Sequence, residues 1–115
     1  MAKRKPKRPR RAPTPTSEYR DPEGNVLVLR RELSAGTIRK LGEGFATAAT
    51  TAEDDWARRE EALFERLTVS WEIAGMPLED QRMLLGRYRM ASSDERRWLR
   101  TTIAAHLERF IPELT

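Results

Sequence analysis

Residues 62–78 read ALFERLTVSWEIAGMPL, and the secondary structure assigned to them decides what kind of fold the chain can have. Trp56, Leu63, Leu67, Trp71 and Ala74 recur at spacings of seven, four, four and three, with Phe64 beside them, which describes one apolar face of an α-helix. Val69 and Ile73 fall off that face, so the last turn is either buried on two sides or frayed, and Gly75 and Pro77 end it. The same helix opens at about Thr51, whose hydroxyl can cap a first turn containing Glu53, Asp54 and Asp55.

Downstream, Pro77 suits the first turn of a second helix over "MPLEDQRMLLGRYRM", with Glu79 and Asp80 at its positive end and Arg87 and Arg89 toward its negative end. Leu78, Gln81, Leu85 and Tyr88 share a face of it with Leu84. A third helix opens with Ser92 and Glu95 at capping-box spacing, carries Leu99, Ile103, Leu107 and Phe110 down one face, and stops at Pro112. Upstream, Asp21-Pro22-Glu23-Gly24 has the residues of a type I turn, predicting a hairpin between Glu18–Arg20 and Val26–Arg30. One hairpin is marginal in water and must lean on a helix or a partner.

The stretch Ser34–Gly44, "SAGTIRKLGEG", offers two readings. A phosphate loop needs four residues between its first glycine and a Gly-Lys-Ser/Thr, but Gly36 and Gly42 are separated by five and Glu43 follows with a charge that repels phosphate. The dinucleotide pattern fails as well, because its glycines open a helix whereas these close one. A short helix fits better, capped by Ser34, with Ile38 and Leu41 as its apolar contacts and Gly42 or Gly44 permitting a left-handed exit.

A chain of 115 residues, 35% charged against 38% hydrophobic, forms one domain with a modest core. It lacks cysteine, which removes disulfides, thiolate nucleophiles and cysteine zinc sites. No apolar run approaches the ~20 residues of a membrane span, and the basic N-terminus leads into prolines where a signal peptide would be apolar, so a soluble intracellular protein is expected. Seven of the 22 basic residues, Lys3, Arg4, Lys5, Lys7, Arg8, Arg10 and Arg11, fall within residues 1–11 without a single acidic one; the rest of the chain has 15 positive against 18 negative. With Pro6, Pro9, Pro13 and Pro15 interspersed, residues 1–17 are expected to be a disordered arm able to contact nucleic acid or another anionic surface, or simply to solubilise.

The expected fold is therefore mainly α: a disordered basic arm over residues 1–17, then a small helical domain over 18–115 with an N-terminal β-hairpin, one short helix and three longer ones. Its apolar helix faces are expected to exceed what so short a core can hide and to invite partner helices. Catalytic constellations fare poorly. His106 is the only histidine and has no obvious second metal ligand or nucleophile. Glu53, Asp54 and Asp55 sit where a helix start favours negative charge without any ligand, and Arg58-Arg59 and Arg96-Arg97 read as solvated faces with helical ion pairs. Trp98 lies beside the last helix's apolar stripe, where it can mark an interface.

"LSAGTIRKL" after a short strand and a "DPEGN" turn, followed later by "MPLEDQRMLLGRYR", resembles the tail assembly chaperones of long-tailed bacteriophages, particularly those of actinobacterial phages. The matching positions are Ala35, Gly36, Ile38, Arg39, Lys40 and Leu41, then Met76, Pro77, Leu78, Glu79, Leu84 and Leu85. The resemblance implies a small helical protein of the bacterial host's cytoplasm that coats or recruits the tape measure protein while tail tube subunits polymerise, without catalysis or cofactor. In many such phages a frameshift also yields a longer product. The partner-binding residues expected are Ile38, Arg39, Lys40, Leu41, Met76, Leu78, Leu84, Leu85 and Trp98. The competing expectation is a nucleic-acid-binding accessory protein acting through the arm; an enzyme ranks third, since no nucleophile–base pair, metal cluster or phosphate loop met its spacing.

Overall fold

The computed structural model describes residues 15–46 and 52–115. In chain order the elements are β1 (Thr16–Arg20), β2 (Val26–Arg30), α1 (Ala35–Ala46), α2 (Ala52–Leu67), β3 (Thr68–Ile73), β4 (Met76–Leu78), α3 (Gln81–Arg89) and α4 (Ser93–Phe110), closed by a 3-10 turn over Pro112–Leu114. The four strands form one antiparallel sheet in the order β1-β2-β3-β4. The fold is thus mixed α and β, and the expectation of a mainly helical protein with a lone hairpin is corrected.

The correction comes from residues 62–78. Helix α2 ends at Leu67 and the chain passes straight into β3, so Trp71 and Ala74 do not continue the face of Leu63 and Leu67. No glycine or proline stops the helix there. Its last carbonyls are instead taken by side chains from distant elements: Gln81 Nε2 donates to the Glu65 carbonyl at 2.8 Å, and Arg30 Nη1 to the Arg66 carbonyl at 3.1 Å. Thr68, Val69 and Ile73 are β-branched and suit the strand that follows. Ala74 and Gly75 then form a two-residue turn, both with positive φ (51° and 82°), as a primed hairpin turn requires. Pro77 consequently lies in β4 opposite Glu72 rather than in a first helical turn, and α3 begins at Gln81 with Asp80 as its cap, accepting from the Arg82 and Met83 amides.

The first hairpin pairs Thr16–Arg20 with Val26–Arg30 around a β-turn in which the Gly24 amide donates to the Asp21 carbonyl at 3.0 Å and Gly24 takes φ 88°. Thr16 and Ser17 therefore belong to β1; the arm proper, residues 1–14, lies outside the described residues, as does the Thr51 cap. The side chains of Glu53, Asp54, Asp55 and Trp56 are likewise not among those described. Asn25 joins the two hairpin turns, its Nδ2 donating to Asp21 and its Oδ1 accepting from the Ala74 amide at 3.0 Å. Helix α1 is capped by Ser34, which accepts from the Thr37 amide, and runs through Gly42 and Gly44 to Ala46 instead of ending at either. The Ser92–Glu95 capping box opens α4.

The helices cover one face of the sheet. Leu27, Leu29 and Trp71 on that face pack with Leu63, Phe64, Leu67, Leu84, Tyr88, Leu99, Ile103 and Leu107, all buried. Phe64 lies between Trp71 and Tyr88, with ring centroids 5.6 and 4.7 Å away. On the other face Val26, Val28 and Ser70 are half-buried and Glu18, Arg20 and Glu72 are exposed. Among the described residues these helix stripes thus find their partners in this sheet and in each other.

Candidate functional site

Among the described residues the large apolar side chains that stay exposed are all methionines: Met76 in β4 (69% exposed), Met83 in α3 (57%) and Met90 at its C-cap (80%). Met83 and Met90 are seven residues apart and share one face of α3, while Leu84 and Tyr88 turn inward. Helix α3 is held to α2 and α4 by its other faces. Arg89 makes a two-pronged contact to Glu61, with Nε at 2.8 Å and Nη2 at 3.3 Å, and Arg87 donates to Glu95 at 2.6 Å while its guanidinium lies 5.1 Å from the Trp71 ring centroid. These hydrogen bonds hold the Glu61 and Glu95 carboxyls below their ordinary value.

A second feature lies between α1 and α2. Ser34, Thr37, Arg39 and Lys40 face Ala62, Glu65 and Arg66 across an open groove of about 480 Å³. Three cations against one carboxylate give it a positive lining.

The expected partner-binding residues divide between surface and core. Arg39, Lys40 and Met76 are exposed; Ile38, Leu78, Leu85 and Trp98 are half-buried against the core; Leu41 and Leu84 are core residues, 8% and 2% exposed. The structure groups Met76, Leu78 and Leu85 in the β4–α3 segment and sets Ile38, Arg39 and Lys40 apart on α1. Sequence reasoning passed over Met83 and Met90. Their seven-residue spacing off the Leu84–Tyr88 face was the available signal.

Two buried polar groups serve the fold. Glu60, 3% exposed, accepts from the Tyr88 hydroxyl at 2.9 Å and from Arg100 Nε at 3.3 Å, joining α2, α3 and α4. Burial, with the neighbouring carboxylate, pushes the Tyr88 phenol well above its usual range. His106 is buried beneath the first hairpin, its Nδ1 2.6 Å from the Tyr19 hydroxyl and its Nε2 2.7 Å from the Arg30 carbonyl. With Nε2–H donating to Arg30 and Nδ1 accepting from Tyr19, the ring is neutral, and burial holds its pKa below the ordinary value. Among the described residues no three His, Asp or Glu side chains are grouped to hold a metal ion, and no helix is long and apolar enough to cross a membrane.

No protein-family model, curated protein or solved structure matches this chain.

Proposed function

We propose that the chain is a non-enzymatic protein-binding and assembly factor of the kind its resemblance implies, a phage tail assembly chaperone that engages the tape measure protein in the host cytoplasm. The observation that carries this reading is the exposure of Met76, Met83 and Met90, to the exclusion of every other large apolar type among the described residues. Methionine is unbranched and polarisable, so a surface made of it conforms to differing apolar side chains. A chaperone of a long helical protein must accept many non-identical segments in turn, and such a surface suits that demand. The cationic α1–α2 groove, with Arg39, Lys40 and Arg66, adds sites for acidic residues beside an apolar helix stripe.

The test is co-expression with the tape measure protein of the same phage. A stoichiometric complex is expected, removal of residues 1–14 should barely weaken it, and Met83→Lys with Met90→Lys should weaken it roughly tenfold or more while the thermal midpoint stays unchanged. A complex indifferent to both lysines, or no complex with the intact chain, defeats the reading.

The seven cations among residues 1–11 favour a second reading, a nucleic-acid accessory protein. In that case DNA affinity should fall steeply between low and moderate salt and vanish when those seven are neutralised.

A further inference from the structure

We propose that the outer edge of β1 is a self-association surface on which a second copy of this chain pairs antiparallel, in one register centred on Tyr19. The hydrogen-bond pattern of the hairpin identifies which groups are free. The Arg31 amide donates to the Pro15 carbonyl at 2.8 Å and the Asp21 amide to the Asn25 carbonyl at 2.9 Å. In an antiparallel ladder bonded and non-bonded pairs alternate, so residues 15, 17, 19 and 21 spend their backbone groups on β2, while Thr16, Glu18 and Arg20 direct theirs away from it. Among the described residues no strand pairs with β1 on that side of the sheet, and these three residues present a row of donors and acceptors there.

Their side chains select the occupant. Glu18 and Arg20 are exposed on the sheet face turned away from the helices, and among the described residues Glu18 has no ion-pair partner. Arg20 gives one guanidinium hydrogen to the Gly24 carbonyl at 3.2 Å and keeps the others. Two copies related by a twofold axis can join this edge in a few registers only. Centring on Glu18 sets two carboxylates directly opposite one another, and centring on Arg20 does the same with two guanidinium groups. Centring on Tyr19 places Glu18 of each copy opposite Arg20 of the other, which makes both of these bonded pairs and gives two ion pairs of opposite sign. The edge is therefore complementary to itself, an isologous contact that a second copy fits.

The proposal is tested by sedimentation equilibrium on the full chain, with amide hydrogen exchange as a residue-specific readout. The intact chain should form a reversible dimer that weakens with salt, and the Glu18 and Arg20 amides should gain protection as concentration rises. Glu18→Arg should raise the dimer dissociation constant by roughly tenfold or more, since two attractive pairs become two repulsive ones, and adding Arg20→Glu should restore it. Both sites are exposed, so circular dichroism should show each variant folded. A chain monomeric at millimolar concentration, a dimer unaffected by Glu18→Arg, or Glu18 and Arg20 amides exchanging fast at every concentration overturns the proposal. None of these outcomes depends on the tape measure protein.

Discussion

The Tyr19 hydroxyl lies 2.6 Å from His106 Nδ1, across 87 residues of sequence, and locks the last helix onto the first strand. Burial keeps the ring neutral and the Arg31 cation nearby also disfavours a charge on it, while the bond to the Arg30 carbonyl acts in the opposite direction. The unfolded chain takes up a proton near the ordinary value of 6.5, whereas the folded one resists it. Stability is therefore full above that value and is lost as pH falls below it. Glu61 and Glu95, whose carboxyls are held below 4.5, contribute their own losses only at lower pH. Urea titrations at about pH 7.5 and about pH 5 should differ accordingly. His106→Gln should flatten that slope; a slope that survives the substitution belongs to another group.

Tyr88→Phe should cost about 1–3 kcal/mol, because it strips a hydrogen bond from the buried Glu60 carboxylate without leaving room for water to replace it. Chemical denaturation measures it directly. Pairing the change with Glu60→Leu should recover part of the loss, since removing both partners abolishes the desolvated charge; a double variant as weak as the sum of the singles would show that the two groups do not act as a pair.

At the β3–β4 turn, Ala74 occupies φ 51°, a region that disfavours a Cβ. Ala74→Asn places the preferred residue before Gly75 and keeps the amide bond to Asn25, so it should stabilise the protein by about 0.5–1 kcal/mol. A lower thermal midpoint would mean that the turn is set by contacts other than its own backbone preference.

Thr68 begins β3 with its hydroxyl buried and without a hydrogen-bond partner among the described residues. Thr68→Val keeps the shape and removes the unmet polar group, leaving the Arg30 contact to the Thr68 carbonyl intact. Stability measured by urea should be unchanged or higher by up to about 1 kcal/mol. A clear loss would reveal a bound water at that hydroxyl.

How much of this fold could be read in advance depended on whether the deciding interaction was local. The Asp21–Gly24 turn, the Ser34 cap and the Ser92–Glu95 box are short-range and legible, because each is a few residues satisfying one another's backbone groups. The end of α2 was illegible, because the groups that stop it, Arg30 and Gln81, come from other elements, while Trp71 and Ala74 happened to prolong a helical spacing. A helix in place of β3 provides no four-stranded sheet, and without that sheet nothing marks Leu41 and Leu84 as interior. The Met83–Met90 face had the opposite difficulty: its spacing is local, but exposure is a property of the whole molecule.

The two rims of the sheet are chemically unlike. In the two-residue β3–β4 hairpin the alternate pairs Ile73–Met76 and Trp71–Leu78 carry the ladder bonds, so the middle residue of β4 is the one that faces outward, and that residue is Pro77, which has no hydrogen to offer. Addition at the β1 rim thus leaves only a proline-bearing rim at each far side. The sheet can be doubled but not extended, which separates a closed pair from the open-ended fibre that a sheet with two receptive rims would permit.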